Sequence, residues 1–217
     1  PRAQNAIAAS LLDQGYIKES NEFLEKASAR LPNSALLNVR LLLQKIYYSL
    51  ATQKDFEETS QKLLDQPFDA QAIQAIRTMV EHIIETNKVD KYGDLTLKFI
   101  TELETESLYK DIPVFQRLTP YLKAKIYLAE KDNQTALKYY LLAADRYNDV
   151  EAGLMMVAEM GSVKNSEGAI VLLNHVIDIY HNQDKSKLRR SSREYDYEIK
   201  RLHDVLTNAL MSDKIEN

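Results

Sequence analysis

Apolar residues recur at three- and four-residue intervals through nearly the whole chain, interrupted by short polar joins. This is the signature of amphipathic helices packed in series. Ile7, Ala8, Leu11 and Leu12 form one stripe; Gly15 breaks it, and Ser20, Phe23, Leu24, Ala27 and Leu31 resume it. After Pro32 a broad face of Leu36, Leu37, Leu41, Leu42, Ile46 and Leu50 begins, answered by Phe56, Leu63 and Leu64 from a helix opening near Asp55. Ile73, Ile76, Met79, Val80, Ile83 and Ile84 make the next first helix. A turn is expected at Asp90–Asp94 around Gly93, followed by Leu95, Phe99 and Leu103. Leu118, Tyr121, Leu122, Ile126 and Tyr127 lead to Ala136, Leu137, Tyr140, Leu141 and Ala144. Leu154, Val157 and Ala158 lead to Ala169, Leu173, Val176 and Tyr180.

These stripes pair into five helical hairpins, at about 4–32, 34–67, 69–107, 113–147 and 149–180. A further helix at 195–210 is expected to cap the last one, making 1–217 a single repeat domain. A small residue sits inside the second helix of each pair, at Ser20, Thr59, Ala136 and Ala169, with Leu97 a looser member; the steps are 39, 38, 39 and 33 residues. A small side chain at that interval lets successive hairpins approach closely. Pro32, Pro67, Pro113 and Pro120 are expected to mark or flank helix boundaries. The predicted fold is all-α: a right-handed superhelix, or α-solenoid, of stacked hairpins.

Composition narrows the function more than it defines it. Twenty-eight basic and 32 acidic side chains give a net charge of −4, interspersed rather than clustered, which argues against a general nucleic-acid binder. With no cysteine, thiol catalysis, disulfides and thiolate metal sites are excluded. His82, His175, His181 and His203 lack any metal-ligand spacing, no glycine pattern suits a phosphate, and no pair of carboxylates is marked for acid–base work. No cofactor and no intrinsic enzymatic activity are expected. The apolar runs are too short to span a membrane. The opening Pro-Arg-Ala-Gln lacks an initiator Met, read here as the start of a fragment.

Several units resemble tetratricopeptide repeats. In the first, Ile7, Ala8, Leu11, Gly15, Ser20, Leu24, Ala27 and Pro32 occupy the family's apolar, small, turn and proline places, with Leu11 where tyrosine is usual and Ser20 where alanine is usual. In the fourth, Ala124, Tyr127, Ala136, Tyr140 and Ala143 match, while Asn148 replaces the proline. In the fifth, Val157, Met160, Ala169, Leu173 and Val176 match more loosely. The mean interval exceeds the family's 34 residues. The resemblance implies a scaffold that binds a protein or an extended peptide in a groove lined by the first helices. Carried over by register, Asn5 and Ala9 face that groove in the first unit, and Tyr121, Lys125 and Leu128 in the fourth. Packing accounts for most of Tyr47, Tyr48, Tyr139, Tyr140 and Tyr147, with one or two left to offer a hydroxyl to a partner.

Residues 34–80 also look like the soluble repeat domains attached to some bacterial envelope polymerases and oligosaccharide-transferring proteins. That likeness implies an alternative: a periplasmic accessory domain of a membrane-anchored glycan-assembly protein. The compartment is then the bacterial periplasm, which this likeness favours, or the cytoplasm. Lys185, Lys187, Arg189, Arg190 and Arg193 form a basic stretch before the last helix. It reads either as a solvated linker, diluted by Glu194, Asp196 and Glu198, or as a patch for an anionic partner.

Overall fold

The computed structural model describes residues 1–215, apart from the side chains of Lys187 and of residues 213–215. Among the described residues there are eleven α-helices, one 3-10 turn and no strand: α1 (Arg2–Asp13), α2 (Ile17–Arg30), α3 (Ala35–Tyr47), α4 (Gln53–Leu64), α5 (Ala70–Glu85), α6 (Val89–Glu106), α7 (Pro113–Ala129), α8 (Asn133–Tyr147), α9 (Val150–Ser162), α10 (Ser166–Asn182), the 3-10 turn Lys185–Lys187, and α11 (Ser192–Ile215). The fold is an all-α, repeat-like solenoid of paired helices. It comprises two compact units, residues 1–122 and 123–217, whose boundary falls inside α7.

In the first unit α1 packs on α2, α3 on α4 and α5 on α6. The first helices α1, α3 and α5 adjoin one another in order, and α4 adjoins α6. In the second unit α9 packs on α8 and α10, and α11 lies against α10 and α9.

Short polar side chains set the starts. Ser34 caps α3 by accepting from Leu37 N–H, Asp69 caps α5 by accepting from Gln71 and Ala72, and Asp149 caps α9 by accepting from Ala152. Thr52 and Asp55 form a reciprocal capping box at α4, so that helix begins two residues earlier than the acidic run suggests. Asp55 also accepts from Lys45 Nζ at 2.7 Å, which ties the start of α4 to the end of α3.

The joins inside the hairpins share one device. Each contains a residue with left-handed backbone: Gly15 (φ 83), Ser49 (φ 60), Asn87 (φ 52), Lys131 (φ 65) and Lys164 (φ 61). Around four of them the N–H of the next residue reaches back to a carbonyl five residues earlier: Tyr16 to Leu11, Leu50 to Lys45, Lys88 to Ile83, and Asp132 to Tyr127. That is the Schellman closure, which satisfies carbonyls left over at a helix end and reverses the chain in three residues.

Several expectations need correction. The third hairpin turns at residues 86–88, and Gly93 is buried inside α6. The buried small residue of α6 is Thr96, fully enclosed, rather than Leu97, so the steps on either side of it become 37 and 40. Pro113 opens α7, but Pro120 sits within it, where it has no N–H to give the carbonyl of Gln116. Ile7 is 48 % exposed; α1 buries Ala8 instead.

Candidate functional site

The first unit holds a cleft of about 360 Å³ between its first helices. Asn5, Ala8, Ala9, Leu12 and Asp13 line it from α1, Arg40, Leu43, Gln44 and Tyr47 from α3, and Thr78 and His82 from α5. The spacing explains the convergence. Arg40, Gln44 and Tyr47 follow one another at four and three residues on α3, and Thr78 and His82 are four apart on α5, so each set shares a helix face.

The floor of the cleft is polar and satisfied. Ser20 Oγ lies 2.8 Å from the Ala8 carbonyl and 3.2 Å from Gln44 Oε1, and Gln44 Nε2 donates to Asn21 Oδ1 at 2.8 Å. The wall is aromatic: Tyr47 stacks on His82 with centroids 4.6 Å apart and an 18° interplanar angle, and Tyr48 meets Tyr47 edge-on at 5.0 Å. Tyr47 remains 55 % exposed. Lys88 Nζ donates to the carbonyls of Ile46 and Tyr47 at 3.0 and 2.7 Å, fixing the end of α3 that carries the stack.

Two groups in this wall are unanswered. Arg40 Nε and His82 Nε2 are both shielded from solvent and neither has a hydrogen-bond partner. Burial lowers the Arg40 pKa. Burial, and then the charge of Lys88, lower the His82 pKa against a smaller opposing effect of Glu85. The imidazole is therefore neutral at neutral pH. A buried donor without an acceptor is a standing cost, one that a ligand oxygen relieves.

Of the residues placed in a groove by register, Asn5 and Ala9 line this cleft. Tyr121 and Leu128 do not face an open groove. They are 5 % and 9 % exposed and belong to the buried side of α7. Lys125 Nζ lies 3.6 Å from Glu159, whose other oxygen accepts from Tyr140 OH at 2.9 Å, so its charge is engaged within the second unit. Arg40 and His82 were not anticipated as groove residues. The available signal was a lone charge inside the run from Leu36 to Leu43, whose one other polar residue is Asn38.

Two of the five residues of the basic stretch form ion pairs. Arg189 pairs with Asp149 at 3.1 Å. Arg190 pairs with Glu151 at 2.7 Å and lies over the Tyr195 ring, 4.9 Å from its centroid. The hydrogen bond to Glu151 raises the Arg190 pKa despite some desolvation. Lys185 and Arg193 are exposed, and the side chain of Lys187 lies outside the described residues. Two arginines thus serve as a clasp on the start of α9. α11 docks through Tyr195 and Leu206, while Val205 beside Leu206 is 57 % exposed.

A larger hollow of about 990 Å³ opens where α1, α3 and α5 begin, beside Arg30, Pro32 and Phe68. Its Ser34 and Asp69 are already spent as helix caps. Among the described residues no cluster of side chains suits a metal ion, and no helix is long and apolar enough to cross a membrane.

No protein-family model matches the sequence, and no curated protein does. Two solved structures show a distant likeness of fold. They are a double mutant of MamA from RS-1 and MamA from residue 41 to its end from Desulfovibrio magneticus RS-1. The TM-score is 0.43 in both cases, at 12 % and 11 % identity, over 84 % of this chain and 96 % of theirs. A likeness at that level leaves function open.

Proposed function

We propose that this chain is a tetratricopeptide-like scaffold that holds an extended segment of a partner protein in the α1–α3–α5 cleft and performs no chemistry of its own. The observation that carries this reading is the cleft wall. An exposed aromatic stack carries or adjoins two buried polar groups that nothing among the described residues satisfies. Aromatic bodies with polar tips supply contact area at little entropic cost, and unsatisfied donors supply orientation. The hydrogen-bonded floor beneath them is rigid enough to present both.

The test is a chemical-shift map of the isotopically labelled 217-residue protein against a panel of capped extended peptides. Binding is expected to perturb residues 5–13, 40–48 and 78–82, and Tyr47→Ala is expected to weaken it about tenfold. A verified protein partner that maps to α2, α4 and α6, and is indifferent to Tyr47→Ala, overturns the groove. Turnover of a substrate that is lost on replacing one polar residue of the folded protein overturns the non-catalytic reading.

A further inference from the structure

Resting on that reading, we propose that the cleft selects an acidic side chain: a Glu or Asp within the extended partner segment, its carboxylate paired with Arg40 and its apolar neighbour laid on the Tyr47–His82 stack.

The argument begins with the charge balance of the wall. Arg40 and Asp13 are the lining residues of charged type, and burial holds His82 toward its neutral form. They are not equivalent. Asp13 is exposed at the end of α1, where water screens it, whereas Arg40 is half-buried with Nε shielded from solvent. A charge in a low-dielectric wall dominates the local field over one in water. Four other arginines have carboxylate partners: Arg77 with Glu81, Arg189 with Asp149, Arg190 with Glu151 and Arg201 with Glu198. Among the described residues no such ion pair is formed by Arg40. The cost of desolvating its guanidinium is therefore met without compensation in the free protein.

A carboxylate is the group that removes this cost. It matches the planar guanidinium edge with two parallel hydrogen bonds. His82, neutral and partnerless at Nε2, adds hydrogen-bonding capacity without a competing charge; its tautomer follows the ligand atom it meets. Gln44 is already engaged at both ends of its amide, with Ser20 and Asn21, which leaves it a single N–H and no second cation to offer. With one cation and no further free donor fork, the wall suits a single side-chain carboxylate flanked by chain on both sides.

Three probes test this on the whole 217-residue protein, with the Arg40 Nε–H resonance as the readout. They are acetyl-Leu-Glu-Leu-amide, acetyl-Leu-Gln-Leu-amide, and acetyl-Leu-Leu with a free carboxyl end. The Glu peptide is expected to shift that resonance saturably, with a Kd at least about tenfold below that of the Gln peptide. Arg40→Gln is expected to erase the difference. Should Arg40→Gln fail to fold by circular dichroism, Thr78→Tyr, which fills the cleft from α5, must abolish the Glu-peptide shift. Equal binding of the Glu and Gln peptides overturns the acidic selectivity and leaves the groove standing. Tighter binding of the free-ended peptide overturns it in favour of a chain-end carboxylate. If no peptide gives a saturable cleft shift up to about 10 mM, ten times a Kd of about 1 mM, the selectivity and the groove both fall.

Discussion

Gly153 lets α9 lie close against Val176 of α10, and a single methyl group there tests the packing of that helix pair. A Cβ built on Gly153 lies 2.6 Å from Val176 Cγ2 and 2.9 Å from Cγ1, with the Val176 Cβ itself at 3.4 Å. Carbon atoms in contact prefer about 3.5–4.0 Å, so the new methyl overlaps both branches. Rotating Val176 exchanges one methyl for the other, and a helical valine holds essentially one rotamer. Relief therefore requires the helices to separate, and Val176 is fully buried between them. Overpacking of this kind costs about 1–3 kcal/mol. Alanine returns about 1 kcal/mol through helix propensity. Gly153→Ala is thus expected to destabilise the protein by about 1 kcal/mol net.

Urea unfolding of four variants separates this from a generic effect. Val176→Ala alone opens a cavity and costs about 2 kcal/mol. The double variant puts the new methyl into that space, so its loss should fall below the sum of the singles by about 1 kcal/mol. Gly161→Ala is the control: its Cβ meets the far end of the Leu206 side chain, Cδ2, at 2.9 Å and the Ala169 Cβ at an ordinary 3.9 Å, and the substitution should be neutral or stabilising. A stabilising Gly153→Ala, or singles that add within about 0.5 kcal/mol, refutes the close approach.

Asp55→Ala removes one half of the capping box and the nearer of the two carboxylates beside Lys45, and is expected to cost about 1–2 kcal/mol in urea unfolding at neutral pH. Tyr92 OH is buried without a partner, so Tyr92→Phe should leave the denaturation midpoint unchanged or raise it; a loss beyond about 1 kcal/mol would mean the hydroxyl is bonded. Burial and Lys88 hold His82 below the ordinary 6.5, so the unfolded chain takes up this proton first as pH falls. The stability tied to neutral His82 is complete above pH 6.5 and declines below it until the folded imidazole is also protonated. His82→Gln should flatten the pH 5–7 slope of the unfolding free energy, and an unchanged slope would remove the residue from the linkage. Lys164 carries left-handed backbone with a Cβ, so Lys164→Gly should raise thermal stability by about 0.5–1 kcal/mol, and a fall would show that its side chain contributes more than its conformation costs.

Hairpin periodicity was visible because helix-helix packing demands it at every turn, whatever the local sequence. The joins were less legible. Their common requirement is one left-handed residue, which five different positions meet with Gly15, Ser49, Asn87, Lys131 and Lys164. Only the first advertises itself. In the third hairpin Gly93 drew the expected break away from Asn87, although asparagine tolerates left-handed geometry and the apolar stripe already ends at Ile84. The Schellman closure from Lys88 N–H to the Ile83 carbonyl fixes the turn there, and Gly93 is left free to be buried in a helix.

The site divides along the same physical line. Register places a residue on a helix face, but whether that face is open depends on what else is packed there. In α1, small residues such as Ala9 leave room, and Asn5 and Ala9 border the cleft. In α7, the same rule selects Tyr121 and Leu128 on a helix whose residues 118–124 are all buried, so the face is closed by neighbours that no local pattern reveals. Arg40 is the converse case. Read along the chain it interrupts an apolar face and looks like a surface charge; in the folded unit α1 and α5 flank it and strip away its water without supplying an acceptor. A charge within an apolar stripe becomes informative only when its counter-ion is sought and not found, and that search requires the three-dimensional neighbourhood.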